Sequence, residues 1–189
     1  MSRFIKILEA SIPDFDESQV KFFQYEGVNN AYINFNGKCY RVRVEMLVFN
    51  DKGQVYAQKR DKPDTAGIMY KLPGGSAEPN KTFKDQAIRE VQEEAHINTT
   101  NVTYTGIHYI TEFNTNNAPK WLKDKMTKFP VKYEGTMNFV FVGKYKSKYT
   151  GHIDKEAMDD LYKLAKFYNV EEIQFREEHL NAIRIYKGL

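Results

Sequence analysis

Glu90, Glu93 and Glu94 stand at positions i, i+3 and i+4 of one segment, the spacing that gathers side chains on one side of an α-helix. Three carboxylates held that close repel one another. A hard divalent cation relieves the repulsion, and Mg²⁺ in particular prefers a few carboxylates plus water and substrate phosphates. Arg89 precedes Glu93 by four residues and can pair with it, fixing its rotamer. Just upstream, Gly74-Gly75 ends a short apolar run, where glycine lets the backbone turn sharply and approach a ligand or metal. A strand, a glycine turn and an acid-faced helix can build a metal–diphosphate site. The same features also describe a solvated acidic face after an ordinary turn, and the residues alone leave both readings open.

The elements that must position these groups follow from periodicity. Residues 82–95 read as the clearest helix, with Ala87, Ile88, Val91 and Ala95 on an arc beside the acidic one. Residues 31–35 and 38–49 read as a hairpin around Asn36-Gly37, a pair suited to a tight two-residue turn. Strands are also expected at 54–60, 69–72, 102–113, 136–145 and 170–175, and helices at 154–168 and 177–186. Interleaved strands and helices, with several strands joined by tight turns, predict an α/β fold with a mixed sheet covered by helices. Residues 1–189 are read as a single domain, with 1–39 an N-terminal extension of strands and 114–135 an inserted loop or lid, too long for a plain connection.

Composition narrows the partners. The chain has 189 residues with 28 Lys+Arg against 25 Asp+Glu, a net charge of +3. That balance excludes a strongly basic tail binder and an acidic disordered chain. No apolar run approaches the ~18 residues of a membrane span, so no membrane partner is expected. Cys39 is the single cysteine, which precludes an internal disulfide and a cysteine-built zinc site and suits a reducing, cytoplasmic setting. Charge is nevertheless segregated. Residues 118–150 hold eight lysines against Asp124 and Glu134, interleaved with Trp121, Phe129, Tyr133 and Tyr145. Such a segment is either a nucleotide-holding lid, an RNA-facing surface, or an excursion with solvated lysines.

Residues 69–97 resemble the Nudix box, G-x5-E-x7-R-E-U-x-E-E-x-G-U with U a bulky aliphatic. Gly75, Arg89, Glu90, Val91, Glu93, Glu94 and Ile97 match it, and Leu72-Pro73-Gly74 resembles the usual lead-in. The box's first Glu falls on Lys81 and its last Gly on His96, while Glu78 lies three residues before the first of these positions. The resemblance implies a Nudix-like α/β/α sandwich over roughly residues 40–186. It also implies a divalent-metal-dependent hydrolase that cleaves the diphosphate linkage of a nucleoside diphosphate joined to another moiety. It assigns Mg²⁺ or Mn²⁺ to Glu90 and Glu94, with Glu93 as a further ligand or water-orienting group, the Gly74 carbonyl as another ligand, and Arg89 holding the carboxylates. Gly75, Arg43, Arg60 and Lys81 are the candidates for substrate binding, with Lys62 beside them, and Glu112, Glu134 and Glu156 for a general base outside the box. The departure at Lys81 also suits a catalytically impaired nucleotide-binding or regulatory module, and the basic segment suits an RNA-directed, decapping-type enzyme. The partner implied is a nucleotide-type small molecule, with a homodimer through residues 1–40 as a further expectation.

Overall fold

The structure is a computed structural model that describes residues 5–6, 16–60, 69–112, 128–151 and 166–189. Along the chain come β1 (Ile5–Lys6), β2 (Lys21–Tyr25), β3 (Val28–Phe35), β4 (Lys38–Phe49), β5 (Val55–Arg60), β6 (Met69–Lys71) and β7 (Gly74–Ser76). After these come α1 (Phe83–Ala95), β8 (Ile97–Glu112), β9 (Gly135–Lys148), β10 (Lys166–Tyr168) and α2 (Glu177–Lys187).

β4 organises the sheet because its sequence suits two different faces. Val42, Val44, Met46 and Val48 alternate with Arg41, Arg43, Glu45 and Leu47, so the period of two sends them to opposite sides. The first set packs beneath α1 with Phe83, Ala87, Val91 and Ala95. On the other face Leu47 packs with Ala182 and Ile183 of α2. The result is a sheet with a helix on each side. β4 runs parallel to β9, with Tyr40 opposite Gly135 and Phe49 opposite Lys144. Its other edge is shared: β3 pairs with residues 38–41, then β7 takes over at Arg43–Glu45. The central path is β1-β8-β9-β4-β3-β2, with β5 joined to β4, β6 and β10. Parallel and antiparallel neighbours in one sheet are the mixed arrangement expected. Among the described residues no helix is long and apolar enough to cross a membrane.

Local chemistry sets the ends of the elements. Asn36 and Gly37 have φ of 49° and 75°, the positive values a type I′ hairpin requires. Thr82 caps α1 by accepting from the Asp85 amide at 3.1 Å. Glu17 also accepts from the Phe83 amide at 3.1 Å, so residues before the sheet core brace the helix's positive end. His96 leaves α1 in the left-handed conformation, φ 55° and ψ 39°, doing the work of the glycine usual at such an exit.

Two expected elements differ. Residues 170–175 do not form a strand. Val170–Glu172 is a short 3₁₀ turn, because the Glu172 carboxylate accepts from the Asn169 amide at 3.4 Å and from its Nδ2 at 2.6 Å. Only Phe175 bridges to Tyr70. Residues 166–168, expected at the end of a helix, are strand β10, paired with β5 from Lys166–Ala57 to Tyr168–Val55. The remainder of that helix, 154–165, lies outside the described residues, as does most of the 114–135 insertion.

Candidate functional site

β7 is the pivot of the site. The Gly74 amide donates to Glu94 Oε2 at 3.1 Å. The Glu90 carboxylate lies against Gly75 so closely that a Cβ there would overlap it. Two turns of α1 thus deliver two carboxylates to two consecutive glycines. The backbone itself requires glycine at Gly74, where a Cβ would strike the Val44 carbonyl and the Glu45 backbone; at Gly75 a Cβ would instead push the Glu90 carboxylate aside.

Each acid has a different companion. Glu90 accepts from Gln86 Nε2 at 2.7 Å, and its side chain is only 12% exposed. Burial pushes its carboxyl above the ordinary range, against the pull of Arg89, and the nearby Glu94 and Glu93 add to the rise. Glu94 faces Lys71, whose Nζ lies 3.4 Å from both carboxylate oxygens. Glu93 turns to Arg89 and bonds its Nη1. Arg89 is the hub, with Nη2 at 2.5 Å from Glu90 and 2.7 Å from Glu78. Although burial works against it, these acids raise its pKa further. Among the described residues no three carboxylate, imidazole or thiol side chains converge as a ready metal cluster. Glu90 and Glu94 are the pair turned toward the glycines.

Lys81 points to Glu78, with Nζ 2.7 Å from Oε2, and is exposed. Burial would raise the Glu78 carboxyl, but Lys81 and Arg89 together hold it below its usual value. Glu78 therefore gives Arg89 the acidic partner that Lys81 does not supply.

Behind β7, on the α2 side, Arg43 Nη2 donates to the Gly74 carbonyl at 2.9 Å. Glu45 is buried there, hydrogen-bonded by the Tyr109 hydroxyl and 3.2 Å from His179 Nε2. Burial alone would raise its carboxyl; His179, Arg43 and Tyr109 overcome that and hold it down to about 2. The Leu72 amide donates to His179 Nδ1 at 3.2 Å, which ties the strand entering the glycine turn to α2.

The sequence matches the NUDIX domain over residues 40–187. The chain belongs to the Nudix family. It is a Nudix pyrophosphohydrolase in that general sense, and the sheet with a helix on each face is the Nudix sandwich. A NUDIX hydrolase from Nitrosomonas europaea shares this fold with a TM-score of 0.53 at 18% identity, over 79% of this chain and 88% of that one. The E. coli dihydroneopterin triphosphate pyrophosphohydrolase gives 0.49 at 16% identity, over 76% and 92%. The MutT protein from Methanosarcina mazei Go1 gives 0.47 at 16%, over 79% and 94%. No curated protein sequence matches.

Within the Nudix frame, Glu90, Glu94, Gly74, Gly75, Arg89 and Arg43 come together around β7. Lys81 stands apart from the two glycines, at Glu78. Arg60 ends β5, with its side chain outside the described residues, as are Lys62 and Glu156. Glu112 and Glu134 lie 2.8 and 3.8 Å from Lys38 Nζ, at the start of β4 rather than beside the acidic pair. Sequence reasoning missed the parts played by Lys71, Gln86 and Arg41. Only Gln86, four residues before Glu90 on the same helix, had a signal in spacing.

Proposed function

We propose that this Nudix protein is a divalent-metal-dependent hydrolase of the diphosphate linkage in a nucleotide-type substrate. One observation carries the reading: two acids of one helix, Glu90 and Glu94, are delivered to adjacent glycines, one of them half-buried with its carboxyl pushed upward. A carboxylate in that state gains most from a cation beside it. The donor set fits Mg²⁺ or Mn²⁺, since carboxylate and carbonyl oxygens are hard ligands. When bound, the ion supplies charge neutralisation at the diphosphate and an acidified water. Glu90 and Glu94 would hold it. The Gly74 carbonyl, with one lone pair engaged by Arg43, has a second to offer. Arg89 keeps Glu93 and Glu90 in fixed rotamers, and the Gly74 amide orients Glu94. Glu93, adjacent to the pair and bonded to Arg89, would serve as a further ligand or orient water. The lone Cys39 and the nucleotide substrate suit the cytoplasm.

The test is turnover with Mg²⁺ or Mn²⁺ on ADP-ribose, dinucleoside polyphosphates, NADH, capped RNA and deoxynucleoside triphosphates. Cleavage of one class, abolished by Glu90→Gln, is the expected result; no metal-dependent turnover of any of them defeats the reading. The alternative of an impaired binding module drew on Lys81. The Glu78–Arg89 pair at 2.7 Å weighs against it, and on the hydrolase reading Lys81→Glu leaves turnover nearly unchanged.

A second reading, action on RNA, is favoured by one feature. Lys144, Lys146 and Lys148 are exposed at alternate positions of β9, a row able to follow a phosphate backbone. Neutralising all three should weaken capped-RNA binding and flatten its salt dependence while sparing free nucleotides. Equal effects on both substrates would exclude it.

A further inference from the structure

Arg41 and Arg43 lie on the sheet face opposite α1, two residues apart on β4. Arg41 Nη2 donates to Ser76 Oγ at 2.5 Å, and Arg43 Nη2 to the Gly74 carbonyl at 2.9 Å. The two guanidinium groups therefore grip the two ends of β7, while Glu90 touches its middle residue from the helix side. Both contacts are to neutral oxygens, and among the described residues neither arginine forms an ion pair with a carboxylate. Glu45, on the same face, is engaged by Tyr109 and His179 and also feels the charge of Arg43.

Arg41 is the less compensated of the two. Burial lowers its pKa, and repulsion from Arg43 lowers it further. Among the described residues its Nε is buried with no hydrogen-bond partner, and so is the Tyr133 hydroxyl. Arg41 and Tyr133 are close enough to act on one another electrostatically. A half-buried guanidinium whose buried N–H is unmet is costly unless an anion completes it, and the nearby Tyr133 phenol has an unmet hydroxyl of its own.

We propose that Arg41, with Arg43, Ser76 and Tyr133, forms a phosphate-binding subsite on the α2-side face of the sheet, taking a phosphoryl group of the substrate beyond the acidic pair. The proposal rests on the hydrolase reading for its substrate but not for its geometry. Phosphate suits the donors: a guanidinium matches two of its oxygens, and a third is free for the phenol. β7 is three residues long and, among the described strands, pairs with β4 alone, so the proposed path of the substrate from Glu90 and Glu94 to Arg41 runs round its other edge.

The experiment is calorimetric titration of the full chain with inorganic pyrophosphate in excess chelator, so that no metal bridges the anion to the acids. Wild type and Glu90→Gln should bind alike. Arg41→Met should bind at least about tenfold more weakly, the loss expected for one charge-assisted pair, and Tyr133→Phe about threefold more weakly. Circular dichroism establishes that each variant is folded, and the isosteric Tyr133→Phe keeps the test open if Arg41→Met is not. In steady-state hydrolysis Arg41→Met should raise KM with kcat retained, whereas a merely structural Arg41 would lower kcat by displacing Ser76 and the glycines. Folded variants with wild-type pyrophosphate affinity, or no pyrophosphate binding by wild type, would overturn the subsite. Either result leaves the hydrolase reading standing if metal-dependent turnover is seen. Loss of binding in Arg41→Met without turnover by wild type defeats that reading and keeps the subsite.

Discussion

Two glutamates, Glu45 buried and Glu90 half-buried, stand on either side of the Gly74–Ser76 strand and are treated in opposite ways. Glu45, on the α2 side, is surrounded by His179, Tyr109 and Arg43, which hold its carboxyl down to about 2. Glu90, on the α1 side, is pushed upward by burial with only Arg89 and Gln86 to oppose the other acids. Burial is common to both, so it does not explain the difference; the partners do. Glu45 is a finished ion whose charge is answered within the fold. Glu90 is an unfinished one, and its charge becomes favourable when something positive arrives. The contrast separates a carboxylate that builds the protein from one that the proposed metal chemistry would use.

The largest expected effect breaks the pair apart. Glu90→Gln should lower metal-dependent hydrolysis by about 10²–10³-fold while leaving the melting temperature equal or higher, because it removes a charge the fold disfavours. Glu45→Gln should do the reverse, costing about 3 kcal/mol of stability by denaturant unfolding with kcat changed only severalfold. Equal behaviour of the two variants would dissolve the distinction.

Acid sharpens it. The lowered Glu45 carboxyl contributes stability above its unfolded value, and that contribution is lost as pH falls from about 4.5 toward 2, on the order of 3 kcal/mol. Glu90 has the opposite sign: its raised carboxyl favours the fold below the ordinary carboxylate range, and the contribution disappears as pH rises through the raised value. Stability measured from pH 5 downward should therefore fall steeply in wild type and much less in Glu45→Gln.

Smaller effects probe the Glu90 side alone. Gly75→Ala should displace the Glu90 carboxylate and cost about 10²-fold in kcat, the scale for misplacing a catalytic group by about 1 Å. Lys71→Gln removes the cation now beside Glu94 and should tighten Mg²⁺ binding by about threefold in a metal titration. Lys81→Glu should change kcat by less than about twofold, since Arg89 already has Glu78.

The two sides of β7 were not equally readable in the sequence. Glu90, Glu93, Glu94 and Arg89 lie within one helix, and helical spacing alone put them together; the Arg89–Glu93 pair is as expected. The hairpin at Asn36-Gly37 and the exit at His96 were local in the same way. Glu45, Tyr109 and His179 come from β4, β8 and α2, and no pattern along the chain announces that they meet. Lys81 was visible as a departure, but its remedy was not, because Glu78 reaches Arg89 across the turn before the helix. Residues 170–175 carry strand-like side chains, and the turn there depends on one Asn169–Glu172 contact that composition does not reveal. Arg41 looked like any strand cation until its neutral partner and buried Nε were in view.

The parallel pairing of β4 with β9 joins positions roughly a hundred residues apart, as Tyr40 with Gly135 shows. Pairing of strands so far apart in sequence costs loop-closure entropy before it returns any contact, although lengthening the loop further adds little cost. The glycine strand and both arginines depend on β4 for their positions, while the acids sit on a helix between the two distant partners. A chain made only as far as α1 thus holds Glu90, Glu93 and Glu94 together with β4 and β7, but not the strand that flanks β4 on its parallel edge. The edge of β4 that will carry β9 stays open until residues 135–148 have been made, a row of unpaired backbone groups for the chain to cover.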